Sequence, residues 1–272
     1  MKTPKILTLL FLVFVVFVGC NNKNDKTDID TPNTPKEDEI LVYPMPTPFE
    51  VTNLIQSAGI PYNVSISNNT ENASNYSSSK SLALNLGIFG ADLAYASTYN
   101  QAQHTRDLIN VSKKLADELN LSDALDANLI NRIETNIDNS DSIFKIVNSS
   151  FGRVYNSLNK QGKGNSALIV ITGAWVESMY LVTQLAMTAN DKNAIINKIG
   201  EQKFNFNNLL DLLEKQKDDP NINDLISDLQ AFKPIFEKIK ADEDGNVEFG
   251  TDEFNAFTDL VAKLRAKYIE MQ

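Results

Sequence analysis

The sequence predicts an all-α protein, an irregular multi-helix bundle of antiparallel helical hairpins. From about residue 80 to the end, apolar residues recur at three- and four-residue steps, which gathers them on one face of a helix. The breaks between these runs are short and polar, as at Gly162-Lys163-Gly164-Asn165, Asn190-Asp191 and Asp218-Asp219-Pro220, and short joints favour antiparallel neighbours. Strand signals are scarce. The β-rich run Ala167-Leu168-Ile169-Val170-Ile171 continues into Val176, Met179, Tyr180 and Leu185 at helical spacing, so it reads as the start of a buried helix. No repeat of tetratricopeptide length shows its signature residues in register, so a repeat array is not supported.

In chain order, residues 1–19 read as a leader. Lys2 and Lys5 precede an apolar run from Ile6 to Val18, too short to span a bilayer core, which needs about 20 residues. The chain's single cysteine, Cys20, follows at once, and Phe17-Val18-Gly19-Cys20 resembles a bacterial lipoprotein signal. That resemblance implies cleavage before Cys20 and lipid on its thiol, with the membrane as the first partner. Residues 20–42 are polar, with Asn, Lys, Asp, Thr and Pro and little to bury, and read as a disordered tether. Residues 43–272 are then a single all-α domain.

Within that domain, Thr47 and Glu50 form a capping box, Pro48 suits a first helical position and Gly59 a stop, which predicts a helix over Pro48 to Ala58. Tyr62 to Ser79 is a long Asn/Ser-rich stretch without periodicity. From Lys80, Leu82, Leu86, Phe89, Leu93 and Ala96 form one stripe, while Ala83, Gly87, Gly90, Ala91 and Ala94 leave a second face flat enough for another helix to come close. Further helices are expected over Arg106–Leu119 and, approximately, 127–137, 142–158, 166–189, 192–199, 207–216, 223–240 and 252–270.

The charge is −10 overall, and the leader removes two lysines. So acidic a body repels phosphate backbones, which makes nucleic acid a poor partner. His104 is the only histidine, at a polar helix start, and reads as a surface or capping residue. Asp242 and Asp244 with Gly245 match the middle of a calcium loop, but its first and last ligands fall on Lys240 and Thr251. They are weak calcium candidates, and the simpler reading is an acidic turn with Thr251 capping the last helix. No other metal and no cofactor is expected.

Two acids stand inside apolar helices: Asp92 between Ala91 and Leu93, and Glu177 after Trp175-Val176. A buried carboxylate must be paired, hydrogen-bonded or neutral, so each calls for a partner. Tyr95, Tyr99 and Tyr180 lie at helical offsets that could bring hydroxyls near. Asp92, Tyr95, Tyr99, Trp175, Glu177 and Tyr180 are therefore either a pocket or a polar network tying two central helices, and the network is the preferred reading.

Three segments carry a wider resemblance: Pro46-Thr47-Pro48-Phe49-Glu50, Leu84 to Tyr95, and Ile171-Thr172-Gly173-Ala174-Trp175-Val176-Glu177 look like parts of a family of uncharacterised all-helical lipoproteins of Gram-negative bacteria. It implies an all-helical lipoprotein and no named activity or catalytic residue. The expected function is a membrane-anchored envelope lipoprotein acting as a non-enzymatic binding or scaffolding module, with an envelope protein as partner, facing the periplasm or the cell surface, most readily in the outer membrane. The alternative is a small-ligand receptor or envelope hydrolase using Asp92 and Glu177.

Overall fold

The computed structural model describes residues 59–137, 139–189, 192–241 and 247–272. The expected helix over Pro48 to Ala58, Cys20, and the calcium candidates Asp242 and Asp244 lie outside these residues. The protein is all-α. After two single 3-10 turns at Val64–Ile66 and Thr70–Ser74 come α1 (Ser79–Thr98), α2 (Ala102–Glu118), α3 (Ala127–Thr135), α4 (Ser140–Lys160) and α5 (Gly164–Thr188). They are followed by α6 (Asn193–Glu201), α7 (Lys203–Glu214), α8 (Pro220–Gln230), α9 (Lys233–Glu237) and α10 (Thr251–Ile269). Among the described residues, extended backbone pairs only at β1 (Lys240–Ala241) against antiparallel β2 (Val247–Glu248). All described residues fall in one compact unit.

Local chemistry sets most of the boundaries. Ser78 accepts the Ser81 N–H at the start of α1, Asp126 the Leu129 N–H at α3, and Asn139 the Ser142 N–H at α4. Such caps satisfy amides that have no partner within the helix. Asp219 accepts from Asn221 N–H at 2.8 Å with Pro220 in the first turn of α8. Asn100 and Asn120 end α1 and α2 with positive φ of 54° and 60°, a conformation asparagine tolerates better than most residues. Gly162, φ 71°, does the same between α4 and α5.

Several expectations are corrected. The helix expected over 223–240 is broken into α8 and α9, because Pro234 has no N–H to continue the ladder and sits instead in the first turn of α9. Helix α2 begins at Ala102 rather than Arg106, and α7 at Lys203 rather than Asn207. Thr251 does not cap α10: Gly250 holds the cap position and no side chain bonds there.

Helix α1 packs most heavily on α5, then on α2 and α4, while α10 also lies on α5. Almost every residue of α1 and α5 is buried, as expected of helices apolar on all sides. Gly164–Ala186 within α5 is long and apolar enough to cross a membrane, yet 89% of its most apolar stretch is buried inside the protein, which identifies it as the core helix. The two central helices touch backbone to backbone. A Cβ on Gly87 would lie 1.9 Å from the Val170 carbonyl oxygen, and one on Gly173 would lie 2.0 Å from that of Leu84. On its other side α5 sends Trp175 into an aromatic cluster with Phe206, Phe232 and Phe257, at centroid distances of 5.4, 5.4 and 6.4 Å.

Candidate functional site

The two buried acids meet. Asp92, on α1, and Glu177, on α5, are both fully buried, and their carboxyl groups approach closely enough for one to donate to the other. Two carboxyls can do so only if one keeps its proton. Asp92 Oδ2 accepts the Asn68 backbone N–H at 3.0 Å, whereas its Oδ1 meets no donor. An ionised Asp92 would thus leave an oxygen unsatisfied in a dry site. Burial, and then the negative charge of Glu177, hold the Asp92 carboxyl well above the usual carboxylate range, against the opposing pull of Arg265 and the Asn68 N–H. Asp92 is the protonated member and donates to Glu177.

The counter-ion is Arg265, on α10. Its Nε donates to Glu177 Oε2 at 2.9 Å and its Nη2 to Oε1 at 3.1 Å, a bidentate pair. The same Nη2 donates to the Ile66 carbonyl at 3.1 Å, and the guanidinium lies 4.3 Å from the centre of the Tyr180 ring. Burial opposes the charge on Arg265, but the Glu177 carboxylate outweighs it and raises its pKa. Burial raises Glu177 as well, and Arg265 and the bond from Asp92 offset that rise in part; paired with the guanidinium, Glu177 is the anion of the group. The site therefore contains one anion, one cation and one neutral acid.

Residues 59–78 form a strap over this group. Besides the Asn68 N–H on Asp92 and the Ile66 carbonyl on Arg265, Tyr95 Oη accepts the Asn63 N–H at 2.8 Å, and the Tyr99 hydroxyl donates to the Ile60 carbonyl at 2.7 Å. Asn68 Nδ2 donates to Tyr76 Oη at 3.2 Å, and Asn72 Nδ2 to Asn68 Oδ1 at 2.8 Å. Tyr62 stacks among Tyr95 and Tyr99, with centroids 4.8 and 5.6 Å away, and its hydroxyl is hydrogen-bonded to His104 Nδ1. Burial raises the Tyr62 and Tyr95 hydroxyls and pushes Tyr99 up to about 12, so all three are neutral at ordinary pH. Burial lowers His104, which favours its neutral form.

Of the residues expected together, the structure unites Asp92 and Glu177, with Tyr180 reaching them through Arg265. Tyr95 and Tyr99 serve the strap rather than bonding the acids. Trp175 points into the aromatic cluster, since two residues along a helix turn the side chain by about 200° from Glu177. Sequence reasoning missed Arg265, Asn68 and Tyr62. The need for a counter-ion was the one signal for Arg265. Elsewhere, an apolar cleft lined by residues including Leu86, Leu93, Ser112 and Phe151 has a volume of about 40 Å³, far below the roughly 300 Å³ at which small-molecule pockets begin. No group of three or more potential metal-ligating side chains occurs among the described residues.

One prediction follows from the proton on Asp92. Asp92→Asn supplies an amide N–H where the acid supplied O–H and keeps an oxygen for Asn68, so its stability at neutral pH should match or exceed that of the wild type. Asp92→Ala strands both the Asn68 N–H and a Glu177 oxygen and should cost about 1–3 kcal/mol. Urea unfolding of the two variants checks this, and an Asn variant as unstable as the Ala variant would mean that Asp92 is ionised.

Comparison with protein families, with curated proteins and with solved structures finds no match for this chain.

Proposed function

We propose that this chain is a lipid-anchored protein of the cell envelope whose helical body is a non-enzymatic binding or scaffolding module, of the kind represented by the helical lipoproteins of Gram-negative bacteria that it resembles. The observation that carries the reading is Cys20, the only thiol, placed directly behind a short cationic and apolar leader. Acyl chains contribute about 0.8 kcal/mol per buried methylene, and two or more hold a protein durably on a membrane. The polar residues 20–42 space the body from that surface, in the outer membrane with the body turned to the periplasm or the cell exterior. Its partner is an envelope protein rather than nucleic acid, which the charge of −10 repels.

Burial of the acids supports a structural role for them. Glycoside hydrolysis by paired carboxyls needs both to face a substrate, and here both are fully buried and committed to protein groups. In arrangement, we read the body as an irregular bundle of antiparallel hairpins. The tight turns after α1 and α4 support it. Gln161 Nε2 on the Asn120 carbonyl, 3.0 Å, and Lys163 Nζ on that of Leu119, 3.3 Å, set the C-terminal end of α2 beside that of α4.

Labelling of expressing bacteria with a radioactive fatty acid tests the anchor. The wild-type chain should take up label and Cys20→Ala should lose it entirely and keep its leader, whereas label retained by Cys20→Ala would sink the proposal.

A further inference from the structure

The charge group and the strap meet in an arrangement that the anchoring role does not require. Two carboxyl groups and one guanidinium, from three helices, converge beneath residues 59–78, and the strap touches them through neutral backbone groups: the Asn68 N–H and the Ile66 carbonyl. We propose that Asp92 is a proton-operated latch on the strap: with its proton in place the strap closes over Glu177 and Arg265, and without it the strap is released.

Charge balance sets the state of the strap. With Asp92 protonated, the guanidinium of Arg265 balances Glu177 and the oxygens of both carboxyl groups have partners. Once Asp92 ionises, two fully buried carboxylates share a single cation, and no other cation among the described residues is at hand. The groups that face Asp92 are Glu177 from α5, Arg265 from α10, Tyr95 from α1 and Tyr62 and Tyr76 from the strap, with the neutral Asn68 amide. His104, from α2, stands behind Tyr62. The tyrosines are neutral, and none can supply positive charge.

Relief must come from water, and the strap is the part that gives way. Helices α1 and α5 are locked by the reciprocal contacts at Gly87 and Gly173, and α5 and α10 by the aromatic cluster. The strap is held to the body by neutral hydrogen bonds at Tyr95, Tyr99 and Asp92, each worth about 1 kcal/mol net, by cationic donors from Arg265 to the Ile66 carbonyl and from Lys114 to the Ala73 carbonyl, and by a few apolar anchors such as Ile66 and Tyr76. The sign is fixed by linkage. Because burial raises the folded-state pKa of Asp92, the closed state binds the proton more tightly than an open, hydrated one does. Closure is complete at low pH and is lost as pH rises through the folded value.

Hydrogen exchange on the full chain tests the latch. Amides of residues 60–78 are followed from pH 5 to 9.5, corrected for intrinsic rates, in the wild type and in Asp92→Asn, whose amide holds the strap without titrating. The ratio of strap protection, wild type over variant, should fall by up to tenfold for each unit by which the strap's opening shifts the acid's pKa, while amides of α1 and α5 stay protected. Taking this ratio removes any contribution of His104. A constant ratio, or loss of protection in α1 and α5 together with the strap, overturns the latch. If the variant does not fold, the infrared band of a protonated carboxylic acid in the wild type decides: it should vanish over the interval in which the strap opens, and its absence or persistence overturns the proposal.

Discussion

Gly173→Ala is expected to destabilise the protein by about 3 kcal/mol or more, and Gly87→Ala by a similar amount. At an open helix position the same change stabilises by about 1 kcal/mol, because alanine is the better helix former. Here the new methyl would sit 2.0 Å from the Leu84 carbonyl oxygen at Gly173, and 1.9 Å from that of Val170 at Gly87. Both obstacles are backbone inside well-formed helices, so no rotamer can turn away. The helices must separate, and separation opens gaps along the most extensive helix pair in the protein. Denaturant unfolding measures the cost. The two substitutions made together should cost less than the sum of each alone, since one separation accommodates both. A neutral or stabilising Gly173→Ala would show that α1 and α5 do not approach this closely.

The second large effect belongs to Glu177. Replacing it with alanine removes a bidentate partner from Arg265, whose side chain is only 11% exposed, and leaves the guanidinium with the Ile66 carbonyl and the face of Tyr180. Stranding a buried charge costs about 3–5 kcal/mol. The lower end of that range is expected here, because Asp92 can give up its proton and become the counter-ion in its place. That exchange carries its own signature. In Glu177→Ala the Asp92 carboxyl is freed from a neighbouring negative charge and drawn to Arg265, so it should ionise at lower pH than in the wild type. The stability difference between the variant and the wild type should therefore narrow as pH rises.

The two central helices were legible because their composition is unusual on both counts that matter: apolar residues all round, and small residues at Ala83, Gly87, Gly90 and Ala91 that leave room for a neighbour. Asp92 and Glu177 were legible for the same reason, as charges placed where charge is costly. Arg265 was not. It lies between Lys263 and Lys267 in an amphipathic helix, and nothing local separates the one buried cation from two on the same stretch that are not. Only the demand for a partner pointed to a cation, and that demand does not say which. The strap was read only as a long polar stretch, Tyr62 to Ser79, because its Asn and Ser residues have no period. Several of its polar groups nonetheless bond inward, and Asn63 and Asn69 cap its two 3-10 turns. The helix drawn through Pro234 was an avoidable error, since proline's missing N–H is visible in any sequence.

The central claim is that Asp92, Glu177 and Arg265 form a closed structural unit joining α1, α5 and α10. A double-mutant cycle on Glu177→Gln and Arg265→Met tests it most directly, read from denaturant unfolding at neutral pH. Each single change strands its partner, while the double change leaves a neutral Gln that still accepts the proton of Asp92 beside an apolar chain. The account predicts that the double variant is less destabilised than the sum of the singles by about 2 kcal/mol or more, within the range found for residues in one network. Costs that simply add would contradict it.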